Sequence, residues 1–170
     1  KIDDGTHLCV DQRIVWALGS TQIAHVNFAN RKTDWVKKLS TPSSPGRLGP
    51  CALAFDGSLV TTSPSGKLFR LRPDATLAWP AKSIPSFGNS GVSPRVVIGP
   101  KKTIYATTGA PSIVSVDLAT GSTNWTVSNL PETPHDLIVG DRGYLYASLP
   151  TTGEVRVYER SSGTLKLTYH

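Results

Sequence analysis

The sequence has no methionine, only two cysteines and few charged residues, and each shortage narrows the class of protein. Only 18% of the 170 residues are charged, yet no apolar run approaches the ~20 residues of a membrane span. No charged segment followed by an apolar stretch marks a signal peptide, and the lack of methionine suggests a processed chain or an excised segment. The high content of serine, threonine and proline favours an extracellular or cell-surface location.

Sequence signatures of catalysis are also missing. There is no G-x-S-x-G elbow, no H-E-x-x-H and no phosphate-binding loop, and the four histidines are not at ligand spacing. The pair His135-Asp136 is the only candidate for a cation site, and the aligned positions Pro94 and Arg95 do not repeat it. We therefore predict that the protein is not an enzyme, binds no metal and needs no cofactor.

The positive charge is spread along the chain rather than gathered. The net charge is +6 and the pI is about 9.5, but only Lys37-Lys38 and Lys101-Lys102 form pairs. A nucleic-acid surface usually collects its basic residues on one face. We therefore expect a solvated basic surface and no nucleic-acid partner.

What the sequence does contain is one unit that occurs four times. Trp35, Trp79 and Trp125 are 44 and 46 residues apart, and Leu167 follows 42 residues later at the matching place. A second strand aligns in the same four copies, at Ile14–Ala17, Ser58–Thr61, Thr103–Ala106 and Tyr144–Ala147. Turn residues separate about four short strands in each copy, which is the pattern of a propeller blade.

These repeats predict an all-β fold, a four-bladed β-propeller in which each blade is a four-stranded antiparallel sheet. The chain is then one domain, 1–170, with blades at approximately 4–38, 49–82, 93–128 and 134–169. Hairpin turns are predicted at Asp56-Gly57, Ser65-Gly66, Arg142-Gly143 and Thr152-Gly153.

The third copy resembles a known repeat. The run from Tyr105 through Val116–Gly121 to Trp125 is similar to the repeat of PQQ-type, or quinoprotein-type, β-propellers. The fourth copy shares part of the motif, with Tyr146, Glu159 and Ser162-Gly163. The resemblance implies that Asp117, Thr120 and Gly121 shape a turn and that the tryptophan packs between blades. It indicates a fold and not a chemical activity.

The number of blades departs from that family, whose propellers usually have seven or eight. We expect the four blades to close on themselves. The alternatives are an eight-bladed ring made by two chains, and half of a larger propeller. A quinoprotein enzyme would need a quinone pocket and a calcium site, and the resemblance places neither on residues of this chain.

The large aromatic residues are predicted to pack between blades rather than to stack on sugars or bases. Trp35, Trp79, Trp125 and Leu167 hold one register position of the repeat, and Trp16 holds another. Positions that repeat with the blade are packing positions.

Two interpretations of Cys9 and Cys51 stay open: they form a disulfide bridge, or they are unpaired. An even count near neighbouring innermost strands favours a disulfide bridge, which would stabilise the fold by about 3–4 kcal/mol. Their register argues against it, because Cys51 aligns with Thr6 and Cys9 with Ala54.

Asn124 begins an N-x-S/T sequence and is a candidate glycosylation site on an outermost strand. Strand alternation predicts that it points away from the face that carries Trp125.

The predicted function is that of a non-catalytic extracellular interaction or structural module. Its partner would be a protein or a second copy of the chain, as in a self-assembling subunit of a surface fibre or matrix. Outermost strands such as Leu77–Ala81 and Leu165–Tyr169 would offer edges for strand addition.

The alternative is a lectin-like propeller that binds a glycan or a protein ligand. Basic loop residues would contact it, namely Lys101, Lys102, Arg142 and Arg156. Phe87, between turn residues in a loop that joins two blades, is the candidate aromatic contact.

Overall fold

The computed structural model describes residues 7–10, 14–19, 22–27, 30–38, 49–63, 66–84, 95–107 and 109–170. They form four four-stranded antiparallel sheets, each built from four strands that are consecutive in the chain. The prediction of an all-β, four-bladed β-propeller is confirmed. The predicted glycan contact Phe87 lies outside the described residues.

The strands are numbered along the chain, four to a blade. Blade 1 contains β1 His7–Val10, β2 Ile14–Leu18, β3 Gln22–Asn27 and β4 Lys32–Lys38. Blade 2 contains β5 Cys51–Leu53, β6 Leu59–Ser63, β7 Lys67–Leu71 and β8 Lys82–Ser83. Blade 3 contains β9 Val96–Gly99, β10 Thr103–Thr107, β11 Ile113–Asp117 and β12 Thr123–Val127, with a short 3-10 helix at Pro100–Lys102. Blade 4 contains β13 Asp136–Val139, β14 Tyr144–Leu149, β15 Glu154–Glu159 and β16 Leu165–Tyr169.

Glycines close the tight hairpins at the predicted places. Gly57, Gly66, Gly143 and Gly153 all have φ between 70° and 87°, in the left-handed region that side chains disfavour. The hairpin positions read from the sequence are therefore correct at these four glycines.

The outermost strand of blade 2 differs from the prediction. We expected a strand over Leu77–Ala81, but only an isolated bridge joins Leu77 to Leu71, and the regular strand is β8. The guanidinium of Arg72 donates to the carbonyl of Leu77 at 2.7 Å, so that acceptor is already used. Pro80 has no N–H to donate to a neighbouring strand. The backbone N–H of Ala78 still donates to the carbonyl of Arg70, but the regular ladder with β7 is found beyond this proline, at β8.

The apolar core lies between consecutive blades. We call the side of a sheet that looks toward the next blade in the chain its forward face, and the opposite side its backward face. The forward face of each of blades 1, 2 and 3 packs on the backward face of the blade that follows. Three buried clusters result: Trp16, Leu18 and Ile23 on Leu59 and Leu71; Val60, Leu68 and Trp79 on Val96, Ile104 and Val116; Tyr105 and Ile113 on Leu137, Leu145 and Tyr158.

The innermost strands follow the same order. Strand β1 contacts β5, β5 contacts β9, and β9 contacts β13. The blades are thus arranged along an arc in chain order, with the first strand of each blade innermost.

Candidate functional site

A tryptophan fixes each of the three interfaces between blades. Its indole N–H donates to a carbonyl oxygen of the next blade, from Trp35 to Pro73 (2.9 Å), from Trp79 to Leu118 (3.1 Å) and from Trp125 to Arg160 (2.9 Å). Each acceptor follows the third strand of its blade closely. These three rings therefore lie between blades and are occupied in packing. Leu167, at the equivalent place of blade 4, has no N–H to donate and is 46% exposed.

The D-x-x-T-G turn is shaped to receive that indole. The carboxylate of Asp117 accepts hydrogen bonds from the backbone N–H of Thr120 (2.7 Å) and from its hydroxyl (2.9 Å), and these bonds lower the pKa of Asp117. Gly121 follows with φ 71°, and a Cβ there would lie 2.8 Å from the ring of Trp79. The role that the family resemblance implies for this turn is thus visible in the contacts.

Two apolar sheet faces are exposed at the two ends of the series of blades. The forward positions that pair with the second strand are Cys9, Ala52, Val97 and Ile138. Cys9 is 7% exposed, whereas Ile138, on the last blade, is 65% exposed.

The backward face shows the same contrast at the other end. Its equivalent positions are Leu8, Cys51, Val96 and Leu137. Val96 and Leu137 are 6% and 5% exposed, whereas Leu8, on the first blade, is 69% exposed. Val10 on β1 is also exposed, as are Leu167 and Tyr169 on blade 4. The two end faces thus expose several core-type residues, although Ala24 on the backward face of blade 1 and Val157 on the forward face of blade 4 are buried.

A disulfide bridge joins Cys9 to Cys51, with the two Cα atoms 6.0 Å apart. Cys9 lies on the forward face of blade 1 and Cys51 on the backward face of blade 2. Two residues that face each other across consecutive blades lie on opposite sides of their own sheets. Because side chains alternate between the two sides of a strand, such residues are offset by an odd number of positions when the two blades are aligned. The register argument against the bridge was therefore wrong, because it required the two cysteines to align.

A basic pocket of about 260 Å³ opens between blades 3 and 4. Three cationic side chains line it, those of Lys101, Arg142 and Arg160, together with the rings of Tyr105 and Tyr144. Burial raises the pKa of Tyr105. The lining also includes Glu159, whose carboxylate pairs with Lys166 at 3.0 Å. The pocket therefore combines an excess of positive charge with aromatic residues, which suits an anionic ligand.

The four basic residues predicted for ligand contact do not all meet in this pocket. Lys101 and Arg142 line it and Lys102 is exposed beside it. Arg156 lies on β15, where its guanidinium pairs with Glu154 at 2.7 Å. Sequence analysis did not identify Arg160, which follows β15 and lines the pocket because blade 4 packs against blade 3.

Asn124 is exposed on β12, at an irregular position of the strand. Ser115 pairs with Trp125 and Val116 with Thr123, so Asn124 is the extra residue of a β-bulge. Its amide donates to the hydroxyl of Ser115 at 3.3 Å. The alternation argument therefore does not hold there, because a bulge interrupts it, and glycosylation of Asn124 stays a prediction.

The pair His135-Asp136 is contacted by Arg95, which precedes the first strand of blade 3. The guanidinium of Arg95 donates to the carbonyl oxygen of His135 at 2.9 Å and lies 3.4 Å from the carboxylate of Asp136. Within the described ranges, no group of three or more His, Cys, Asp or Glu side chains is placed to hold a metal ion. No helix in that part of the chain has the length and apolar character needed to cross a membrane.

The four consecutive sheets, the inter-blade tryptophans and the D-x-x-T-G turn define a β-propeller of the PQQ-repeat type. The profile of the family described as outer membrane protein assembly factor BamB matches residues 3–168. The chain belongs to this family. Propellers of this type can act as protein-interaction modules. A search of curated protein sequences finds no match.

Solved structures of low sequence identity share the fold. BamB from Moraxella catarrhalis superposes with a TM-score of 0.72 at 16% identity, over 96% of this chain and 51% of that one. The computationally designed protein Ika4 gives 0.73 at 11% identity, over 92% of this chain and 91% of that one. A streptogramin B lyase gives 0.74 at 14% identity, over 99% and 55%. The chain thus spans about half the length of the BamB and lyase structures.

Proposed function

We propose that this chain is a non-catalytic, extracellular interaction module that assembles through the exposed faces of its first and last blades. The single observation that carries the proposal is the exposure of Leu8 and Ile138, whose equivalents Val96 and Leu137, and Cys9, are buried at the interfaces between blades. Exposed apolar patches of this kind are typical of protein-binding surfaces.

Two features support the extracellular part of the proposal. The Cys9–Cys51 bridge is of a kind that persists in oxidising compartments and is rare in reducing ones. Asn124 is exposed within its N-x-S/T sequence, as an acceptor of N-linked sugar must be.

The non-catalytic part rests on what the motif residues do. Asp117 and Thr120 hold a turn, and the tryptophans hold neighbouring blades together. These polar groups are engaged in structural contacts. The assignment predicts that a panel of hydrolase and lyase substrates gives no turnover, and reproducible turnover by the pure protein would contradict it.

The reactivity of cysteines introduced on the two end faces tests the proposed function. Single variants Leu8→Cys and Ile138→Cys would be labelled with a maleimide, with Phe55→Cys as the control because Phe55 is fully exposed on a turn of blade 2. We expect cysteines 8 and 138 to react several times more slowly than cysteine 55, and to approach its rate on dilution. Equal rates at all concentrations would contradict the interaction module.

A second candidate function is binding of an anionic glycan in the basic pocket. The observation that favours it is the convergence of Lys101, Arg142 and Arg160 beside two tyrosine rings. We expect Arg142→Ala to weaken binding of a sulfated glycan in a salt-dependent way, whereas Lys38→Ala, an exposed lysine on blade 1, should not. Equal binding by the two variants would remove this candidate.

A further inference from the structure

The two exposed end faces are matched halves of an interface that the fold already uses three times. The forward face of blade 4 presents Ile138 where blade 1 presents Cys9, and the backward face of blade 1 presents Leu8 where blade 2 presents Cys51. Leu8 and Ile138 would therefore face each other if blade 4 of one chain packed on blade 1 of another, as Cys9 and Cys51 do in the bridge.

The turns at the outer end of this interface also match by size. At two interfaces an indole meets a glycine turn, Trp79 against Gly121 and Trp125 against Gly163, where a Cβ would lie 2.8 Å and 2.7 Å from the ring. Blade 4 carries the smaller Leu167 instead. The equivalent turn residue of blade 1 is Arg31, with φ 55° and an exposed side chain.

Blade 4 thus carries leucine where the other blades carry tryptophan, and blade 1 carries arginine where blades 3 and 4 carry glycine. A turn with a long side chain could not receive an indole, but it can pack against leucine. This correspondence favours a blade 1 of the same sequence over an unrelated surface.

The lengths of two similar structures indicate how many blades the ring needs. Four blades of this chain superpose on 51% of the BamB chain and 55% of the lyase chain. Within one chain, blade 1 does not cover the forward face of blade 4, where Ile138 is exposed. Closing such an arc takes about as many blades again.

We propose that two copies of this chain pair head to tail and close an eight-bladed ring, in which each end face is covered by the other copy. The proposal rests on the proposed function, since it names the partner of the same two faces. Each of the two interfaces between the copies, which we call seams, joins blade 4 of one copy to blade 1 of the other. The two seams are identical by two-fold symmetry, so both apolar end faces of both copies become buried.

A designed disulfide across the seam tests the proposal. The double variant Leu8→Cys, Ile138→Cys reproduces at the seam the register of the natural Cys9–Cys51 bridge. Under oxidising conditions we expect a covalent dimer, twice the 18.2 kDa of one chain, with the bond between cysteines 8 and 138 identified by peptide mass spectrometry. The matched control Leu8→Cys, Phe55→Cys should give no covalent dimer, because residue 55 lies outside both end faces.

Each other outcome overturns the proposal in a distinct way. A monomer with an internal bond between cysteines 8 and 138 would mean that four blades close alone, and a ladder of larger species would mean an open fibre. A native polypeptide that carries four more blades would assign the faces to those blades. Protection of cysteines 8 and 138 from maleimide without any bond between them would leave the interaction module intact but exclude a second copy. Full reactivity at both positions would remove both proposals.

Discussion

At the scale of single residues, the fit between a glycine and an indole decides how closely two blades approach. Gly163 has φ 73°, and a Cβ added there would lie 2.7 Å from the ring of Trp125. The glycine thus meets two demands, a backbone conformation that side chains disfavour and a close approach of an aromatic ring. These two demands can be separated by mutation.

We predict that Gly163→Ala lowers the free energy of unfolding by about 1–3 kcal/mol, through backbone strain together with the clash. Gly153→Ala is the matched control, because Gly153 has φ 70° but no described atom within 4 Å of the added Cβ. The control should cost less, and Trp125→Leu should reduce the cost of Gly163→Ala. Urea denaturation of the four variants measures this, and equal losses at positions 153 and 163 would show that the indole contact does not matter.

The Asp117 carboxylate makes the turn sensitive to acid. Hydrogen bonds from the backbone and the hydroxyl of Thr120 hold the pKa of Asp117 below its ordinary value of 3.8. A carboxyl group with a lowered pKa stabilises the fold above that ordinary value, and the contribution disappears as the pH falls through the lower folded-state pKa.

We therefore predict that Asp117→Asn is less stable than the natural protein at pH 7 and that the difference narrows below about pH 4. Asp141→Asn, on an exposed turn of blade 4, is the control and should change stability little at either pH. Thermal unfolding between pH 3 and pH 7 measures the effect. A difference that widens in acid would contradict the assignment.

At the scale of strands and blades, the sequence predicted the repeat and missed irregularities within it. The spacing of Trp35, Trp79 and Trp125 predicted the number of blades correctly, and the turn residues predicted the hairpin glycines. Neither signal predicted the bulge at Asn124, although the same register shift recurs between the third and fourth strands of blades 1 and 4, because an alignment of the copies does not show how strands pair. The displaced strand of blade 2 was missed because it depends on contacts of Arg72 and on Pro80, which belong to that copy.

The candidate sites were harder to predict because they depend on neighbouring blades. Arg160 reaches the basic pocket through the packing of blade 4 on blade 3, and residues 101 and 160 are far apart in sequence. The cysteine pairing was left open for the same reason. Facing sides of two sheets are offset in register, and a repeat alignment alone does not show which side a residue occupies.

The bridge between blades 1 and 2 should contribute strongly to stability. Its cysteines are separated by 42 residues, and closing a loop of that length in the unfolded chain is worth about 4 kcal/mol. We predict that the double variant Cys9→Ala, Cys51→Ala loses stability of that order in guanidinium unfolding. Reduction of the natural protein should produce a similar loss, and the double variant should not respond to reductant. A natural protein whose stability is unchanged by complete reduction would contradict the prediction.

At the scale of the whole molecule, the four blades form an arc whose interior interfaces are complete and whose ends are not. The buried clusters lie between blades 1 and 2, 2 and 3, and 3 and 4. Blade number was readable from the sequence, but ring closure was not, because the same residue types occupy Leu8 at an exposed end and Leu137 at a covered interface. Only the arrangement of the blades distinguishes them.

Pairing of the end faces predicts a melting temperature that rises with protein concentration, since association stabilises the folded chain by mass action. The variant Ile138→Asp places a charge on one face and should melt at a lower, concentration-independent temperature. Phe55 is fully exposed on a turn of blade 2 outside both end faces, so Phe55→Asp provides a control that adds the same charge and leaves the end faces intact. Differential scanning calorimetry over a hundredfold concentration range measures both. A concentration-independent melting temperature for the natural protein would contradict pairing.

The replacement of tryptophan by Leu167 also bears on how an assembled ring would come apart. Three interfaces of each chain carry an indole-to-carbonyl hydrogen bond. At the proposed interface between copies, Leu167 has no N–H with which to make one. Every chain therefore adds one weaker joint, and the number of weak joints equals the number of subunits. Mechanical load or dilute denaturant would then release whole subunits before any blade opens, so that damaged rings could exchange parts without unfolding them.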